Sequence, residues 1–338
     1  MQKLNPQHIL ISRTDNIGDV ILTLPLASLL KEHFPKTKIS FLTRNYAKAA
    51  VTHCPHVDHF LSYDEIISAP EALAISKLKQ LQVDCILHVF PRKEIAKLSY
   101  KAKIKHRIGT SRRWYHYLFC NQRVSFTRAK SELHEAELNL KLLSAFGIQP
   151  EIPESLADLI TIEPKINLPD QLKTYFVADK FNLIIHPLSN GNGREWPLSY
   201  FIELINSLPL NFFNILITGS EHEKEKLKSL FAQCPTARDV CGKLTLDEFF
   251  LFIKNADGLI ANSTGPLHMA AALGIKTLGL YPPAPGISPK RWGPIGHQAQ
   301  YIVHSQMCAG DKCSNQDCAC MRAIEVQHVT NLILTWIE

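Results

Sequence analysis

Short apolar runs recur along this chain, and most are followed by a longer stretch whose apolar positions return every three or four residues. In the first half the short runs are HILISR (8–13), KISFLTR (38–44), HFLSY (59–63), CILHVF (85–90) and HRIGT (106–110). In the second half they are NLIIHPL (182–188), FNILITG (213–219), GLIANS (258–263) and KTLGLY (276–281). Strands alternating with helices in this way predict βαβ units and parallel sheets, an α/β fold. A strong helical pattern, SELHEAELNLKLLSAFG, closes the first half, with Ser131 placed as its N-cap and Gly147 as its stop. The next stretch, IQPEIPESLADLITIEPKINLPDQL, carries four prolines and weak periodicity, which predicts a linker. The expected division is an N-terminal domain over 1–150, a linker over 151–172, a second domain over 173–324 and a C-terminal helix over 325–338. That helix, read from the amphipathic tail IEVQHVTNLILTWIE, is expected to pack across the domains. A chain of 338 residues exceeds the size at which one core usually stops growing, which agrees with two domains.

Ligands of open α/β sheets bind outside the carboxyl ends of the strands, so the loops that follow each run hold the candidate chemistry. In RTDNIGDVILTLP, Asp15 or Asn16 can cap the next helix and Gly18 lets the chain turn. Asp19 is then one carboxylate more than capping needs. It complements the helix dipole, worth about 0.3–1 kcal/mol, or it is a general base held at a cleft. In HPLSNGNGREWPLSYF (186–201), Ser189, Gly191 and Gly193 free the backbone to approach a ligand, and Arg194 brings a forked cation suited to phosphate. The third loop, ITGSEHEKEKL, reads as ordinary capping by Ser220 and Glu223, or as Glu223 placed near a strand's carboxyl end to take a ribose diol. The fourth, ANSTGPLHMAAALG, sets Ser263, Thr264, Gly265 and Pro266 at a helix start where free amides meet the positive end of the dipole, an anion site. No Walker A motif, no dinucleotide GxGxxG and no Asp-x-Asp motif occurs, so P-loop hydrolysis and hydride transfer lose support.

The formal net charge of +6 hides an uneven distribution. Twelve Lys and Arg against Glu94 alone give residues 92–130 a charge of +11, leaving −5 for the rest. Such a segment is a solvated face, or a patch for phosphates, carboxylates, nucleic acid or an anionic membrane surface. At 46% hydrophobic and 20% charged residues the chain has an ordinary globular composition, and neither a signal peptide nor a membrane span is expected. Nine scattered cysteines predict reduced thiols and a cytoplasmic protein. Four of them, Cys308, Cys313, Cys318 and Cys320, cluster with a spacing unlike a zinc ribbon. They form a structural loop, or a zinc, iron or labile disulfide site.

Taken in order, ISRTDNIGDVILTLP, HPLSNGNGREWP, ITGSEHEKE and ANSTGPLHMAAALGIKTLGLY resemble glycosyltransferase family 9, the lipopolysaccharide heptosyltransferases. SRRWYHYLFCNQRV followed by HEAELNLKLL resembles a subgroup apart from the best-known core enzymes. The resemblance implies a GT-B fold, two Rossmann-like domains with parallel sheets facing across a cleft, acceptor on the first and nucleotide sugar on the second. It implies inverting transfer of a heptose from ADP-heptose to the inner core of lipopolysaccharide, with no metal and no cofactor. Asp19 matches the family's general base, Arg194 a cation that neutralises the donor diphosphate, and Thr264, Gly265 and His268 the phosphate-binding helix start. The donor set is thus Ser189, Gly191, Arg194, Gly219, Glu223, Ser263, Thr264, Gly265, Pro266 and His268. The acceptor set is Asn16, Gly18, Arg107, Arg112, Arg113 and His134. Ser263 stands where the family often has aspartate, which loosens the identity of the donor sugar. The expected partners are a nucleotide sugar, the anionic lipopolysaccharide core and the inner face of the cytoplasmic membrane, with no nucleic acid. Three other readings stay open: a transferase of another nucleotide-diphosphate sugar, a sugar-nucleotide epimerase and a non-catalytic lipopolysaccharide binder. The basic segment argues against the epimerase, which has no use for it.

Overall fold

The computed structural model describes residues 4–129, 131–149, 155–189, 191, 193–284, 286–304 and 318–338. The chain forms two compact units, Met1–Glu163 and Pro164–Glu338. The first is built on a parallel sheet of β1 (His8–Ser12), β2 (Lys38–Thr43), β3 (His59–Ser62), β4 (Cys85–His88), β5 (His106–Thr110) and β6 (Gln122–Val124), in the order β3-β2-β1-β4-β5-β6. The second repeats the plan with β7 (Phe181–His186), β8 (Phe213–Ile217), β9 (Arg238–Asp239), β10 (Gly258–Asn262), β11 (Lys276–Tyr281) and β12 (Ala299–Val303), in the order β12-β11-β10-β7-β8-β9. Both are doubly wound Rossmann-like orders.

Every residue of β1, β4, β8 and β10 is buried, which is why these strands read as continuous apolar runs rather than alternating ones. Three strands escape a reading of hydrophobic pattern. β6 and β9 have no fully buried residue and β12 has one, so edge pairing rather than apolar burial makes them strands.

Seven helices serve the argument below: α1 (Ile17–Ile21), α2 (Lys93–Lys101), α3 (Trp114–Phe119), α4 (Glu135–Leu140), α5 (Leu198–Ser207), α6 (Gly265–Ala272) and α7 (Val326–Leu334). α4 starts later than its pattern predicts. His134, not Ser131, is the N-cap, and it forms a capping box with Glu137. Ser131 instead accepts from the Leu133 amide at 3.2 Å, so its hydroxyl is spent on the preceding turn. Gly147 does end the helical stretch, at φ 74°, a conformation glycine adopts without strain.

The last helix packs into a core of the second unit. Val329 and Ile333 of α7, with Trp336, join Trp196, Phe201 and Phe213 in one apolar cluster. The Trp196 indole donates to the Ile324 carbonyl at 3.0 Å, and the Lys276 ammonium donates to the Trp336 carbonyl at 2.5 Å. Cys318 and Cys320 belong to the same cluster, where they act as small apolar side chains. Cys308 and Cys313 lie outside the described residues, and among the described residues no group of His, Cys, Asp and Glu is placed to hold a metal.

Candidate functional site

In each unit the strand order reverses beside the first strand, between β1 and β4 and between β7 and β10. The loops leaving these strands flank the crevices where α/β sheets bind ligands.

At the first crevice the chain leaves β1 as Arg13-Thr14-Asp15. The Arg13 side chain is 2% exposed, and all three guanidinium nitrogens donate. Nε donates to Asp15 Oδ1 at 2.7 Å, Nη2 to Asp19 Oδ1 at 2.5 Å, and Nη1 to Glu135 Oε1 at 2.8 Å and Asn139 Oδ1 at 3.2 Å. Arg128 backs the far side, donating from Nε to Glu135 at 3.0 Å and from Nη2 to Asn139 at 2.9 Å. The Asn139 amide donates to the Leu22 carbonyl and to Thr23 Oγ1, both at 3.1 Å, and Thr23 donates to the Asp19 carbonyl at 2.8 Å. α1 and α4 are thus joined through one guanidinium. Burial opposes charge on Arg13, but Asp15, Asp19 and Glu135 outweigh it and hold the guanidinium more basic than usual. Burial, with Asp19 adding to it, pushes the Asp15 carboxyl up to about 6 against the pull of Arg13.

Asp19 is held by one oxygen only. Oδ1 is fixed on Arg13, while Oδ2 has no hydrogen-bond partner among the described residues and the side chain keeps 12% exposure. The arrangement anchors a carboxylate and leaves its second oxygen open. Asp15 is no helix cap: its carboxylate is on Arg13, and its carbonyl accepts from the Tyr46 hydroxyl at 2.7 Å. Asn16 is the N-cap residue, exposed and without a side-chain capping bond. Gly18 sits inside α1 without positive φ, so the tight turn expected of it is absent. Across the crevice from β4, Arg92 donates to Thr14 Oγ1 at 3.3 Å and stacks on Phe90.

At the second crevice two loops are bound together. Asn262, buried at the end of β10, donates to the Pro187 carbonyl at 2.7 Å and accepts from the Trp196 amide at 2.9 Å. Gly193 lies so close to this turn that a Cβ there would fall 2.9 Å from the Ser263 backbone oxygen. Arg194, half-buried between Gly193 and Trp196, is therefore carried to the start of α6. Thr264 is the N-cap residue of α6 but makes no side-chain cap bond, and its buried Oγ1 has no partner among the described residues. An unmatched hydroxyl beside the free amides of a helix's first turn suits an anionic oxygen. Gly265 and Pro266 open the helix, and His268 is buried on its second turn.

Two donor candidates serve the scaffold instead. Ser189 uses its amide and hydroxyl on Glu195 Oε1, both at 2.8 Å, which folds the loop on itself. Glu223 takes the Ser220 amide at 2.7 Å and hydroxyl at 2.8 Å, the plain capping alternative. Gly219 packs against Cys241 and Glu223. Gly191 is exposed at φ 78°.

The acceptor candidates scatter. Arg107 is near the amino end of β5, donates to the Phe119 carbonyl at 2.7 Å and to the Ile104 carbonyl, and so lies away from the carboxyl edge. Arg112 and Arg113 are exposed between β5 and α3, at that edge. His134 caps α4, one residue before Glu135. The sequence pattern gives no role to Arg13, Glu135, Asn139 or Asn262, and shows Arg92 and Arg128 only as members of the basic segment. The available signal was polar residues four apart, Glu135 and Asn139, on an otherwise apolar helix face.

Comparison with known proteins agrees with this layout. The family model Glycosyltransferase family 9 (heptosyltransferase) matches residues 74–320. The lipopolysaccharide core heptosyltransferase OpsX of Haemophilus influenzae is 26% identical over 289 residues, 82% of this chain and 79% of its own. Among solved structures, a family 9 glycosyl transferase from Veillonella parvula superposes with a TM-score of 0.80 at 19% identity, covering 99% of this chain and 98% of that one. ADP-heptose lipopolysaccharide heptosyltransferase II of Escherichia coli gives 0.74 at 19% identity, covering 98% of each chain. Their fold is GT-B, as two doubly wound units of parallel strands require. With most of its length matched by the family model, this chain belongs to glycosyltransferase family 9.

Proposed function

We propose that this glycosyltransferase moves a heptose from ADP-heptose, with inversion, onto a hydroxyl of the inner core of lipopolysaccharide, with Asp19 as the base. The observation that carries the reading is the Asp19 carboxylate, one oxygen fixed on Arg13 and the other open at the carboxyl edge of the first sheet. The acceptor hydroxyl loses its proton to Oδ2 as its oxygen attacks the anomeric carbon. The bond from that carbon to the diphosphate breaks on the opposite face, and inversion follows. The negative charge released on ADP meets the first-turn amides of α6, the Thr264 hydroxyl and Arg194. In this scheme no divalent ion is needed at the diphosphate. The names of OpsX and heptosyltransferase II support a heptose donor and a lipopolysaccharide acceptor; transfer itself, and not epimerisation or bare binding, accords with the family.

Asp19→Asn keeps the shape of the side chain and the contact site for Arg13 but cannot accept the proton. Its kcat should fall by roughly 10²-fold or more, with ADP affinity unchanged. A folded variant with the parental kcat would remove Asp19 from the mechanism. Thr264→Val should weaken ADP-heptose binding by about two- to tenfold in calorimetry, and unchanged affinity would take the hydroxyl out of the donor site. Transfer from ADP-heptose should survive exhaustive chelation with EDTA; loss restored by a divalent ion would overturn the metal-free scheme. Run with UDP- and GDP-sugars alongside, the same assay identifies the donor.

A further inference from the structure

The basic segment contains an exposed apolar surface that the catalytic scheme does not use. α3 turns one side inward: His116 is buried against Gly109, where a Cβ would lie 2.4 Å from its ring, and its Nδ1 is 2.9 Å from the Thr110 carbonyl. The opposite side then faces out. Trp114, Tyr117 and Leu118, at the i, i+3 and i+4 positions of one helical face, are 64%, 59% and 62% exposed. Tyr100 at the end of α2 extends the patch. Each of the three aromatic rings carries a cation on its face: Lys93 over Trp114 at 5.0 Å, Arg123 over Tyr117 at 4.6 Å and Arg107 over Tyr100 at 5.4 Å.

Large apolar side chains left together in water mark a contact surface. Aromatic rings with cations beside them, and an aliphatic side chain between, match the boundary between lipid headgroups and acyl chains. A second copy of the chain fits poorly, since a symmetric contact would oppose cations. The nearby acid Glu94 accepts from the Tyr63 hydroxyl at 2.9 Å, on another side of α2 from this patch. No described helix is long and apolar enough to cross a membrane.

We infer that the α2–α3 flank is a docking surface for an anionic bilayer, with Trp114, Tyr117 and Leu118 entering the interface and Lys93, Arg107 and Arg123 meeting anionic headgroups. The flank runs from Trp114, just after the carboxyl end of β5, to Arg107 near its amino end, so its α3 start lies on the sheet edge that carries Asp19.

The test is co-sedimentation of the full chain with phosphatidylcholine vesicles that contain or lack phosphatidylglycerol, read together with tryptophan fluorescence. The parent should bind the phosphatidylglycerol vesicles with a blue shift, more weakly as salt rises, and bind phosphatidylcholine alone poorly. The combined variant Trp114→Ser, Tyr117→Ser and Leu118→Ser should melt like the parent and lose about tenfold or more of its vesicle affinity. Lys93→Glu, which keeps the apolar face, should weaken binding to the anionic vesicles alone. If the serine variant binds like the parent, the inference is wrong. It is equally wrong if the parent ignores vesicles and self-associates through this face. No sugar transfer enters the readout, so the result is independent of the donor and acceptor assignments above.

Discussion

One buried guanidinium organises the first unit. Asp15 and Asp19 belong to the turn after β1 and Glu135 to a helix more than a hundred residues later, and their carboxylates converge on Arg13. Like charges do not gather at a buried edge unless a cation offsets both their repulsion and their loss of water. A lysine is a point charge, whereas the arginine fork meets three carboxylates in separate directions. Removing one partner from such a cluster costs about 3–5 kcal/mol, so the group is held as a unit. Its effect on Asp19 is positional: one oxygen is fixed and the other has no hydrogen-bond partner among the described residues.

The two units share a strand order and, in the proposed reaction, divide the chemistry. At the β1–β4 crevice the loops present a carboxylate braced by arginines. At the β7–β10 crevice they present backbone amides, an unmatched hydroxyl and a cation, with Asn262 and Gly193 binding the two loops. Proton acceptance at one edge and anion binding at the other are the two needs of group transfer from a nucleotide diphosphate without a covalent enzyme intermediate. The same plan thus serves opposite charges, because loops and not strands set the chemistry.

Much of this was legible beforehand. The buried strands announce themselves as apolar runs, and the family-like stretches TDNIGDV and STGPLH follow β1 and β10. β6, β9 and β12 were missed because edge strands need few apolar residues. The N-cap of α4 was misplaced because Ser131 is a better capper by type than His134, while the Glu137 that completes the box was there to be read. Arg13 was hidden at the end of an apolar strand, where its charge passed for a boundary. Arg107 looked like a free cation in a basic run, yet its backbone partners lie on either side of its own strand. Spacing along the chain cannot show which cations are already engaged.

In the proposed reaction Arg13 positions the Asp19 carboxylate for proton acceptance. Steady-state transfer by Arg13→Lys and Arg13→Met, with ADP affinity measured on the same samples, tests it most directly. Expected are a large loss of kcat in the methionine variant, partial recovery with lysine, and unchanged ADP affinity in both, since the donor helix belongs to the other unit. A folded Arg13→Met enzyme with the parental kcat would contradict it.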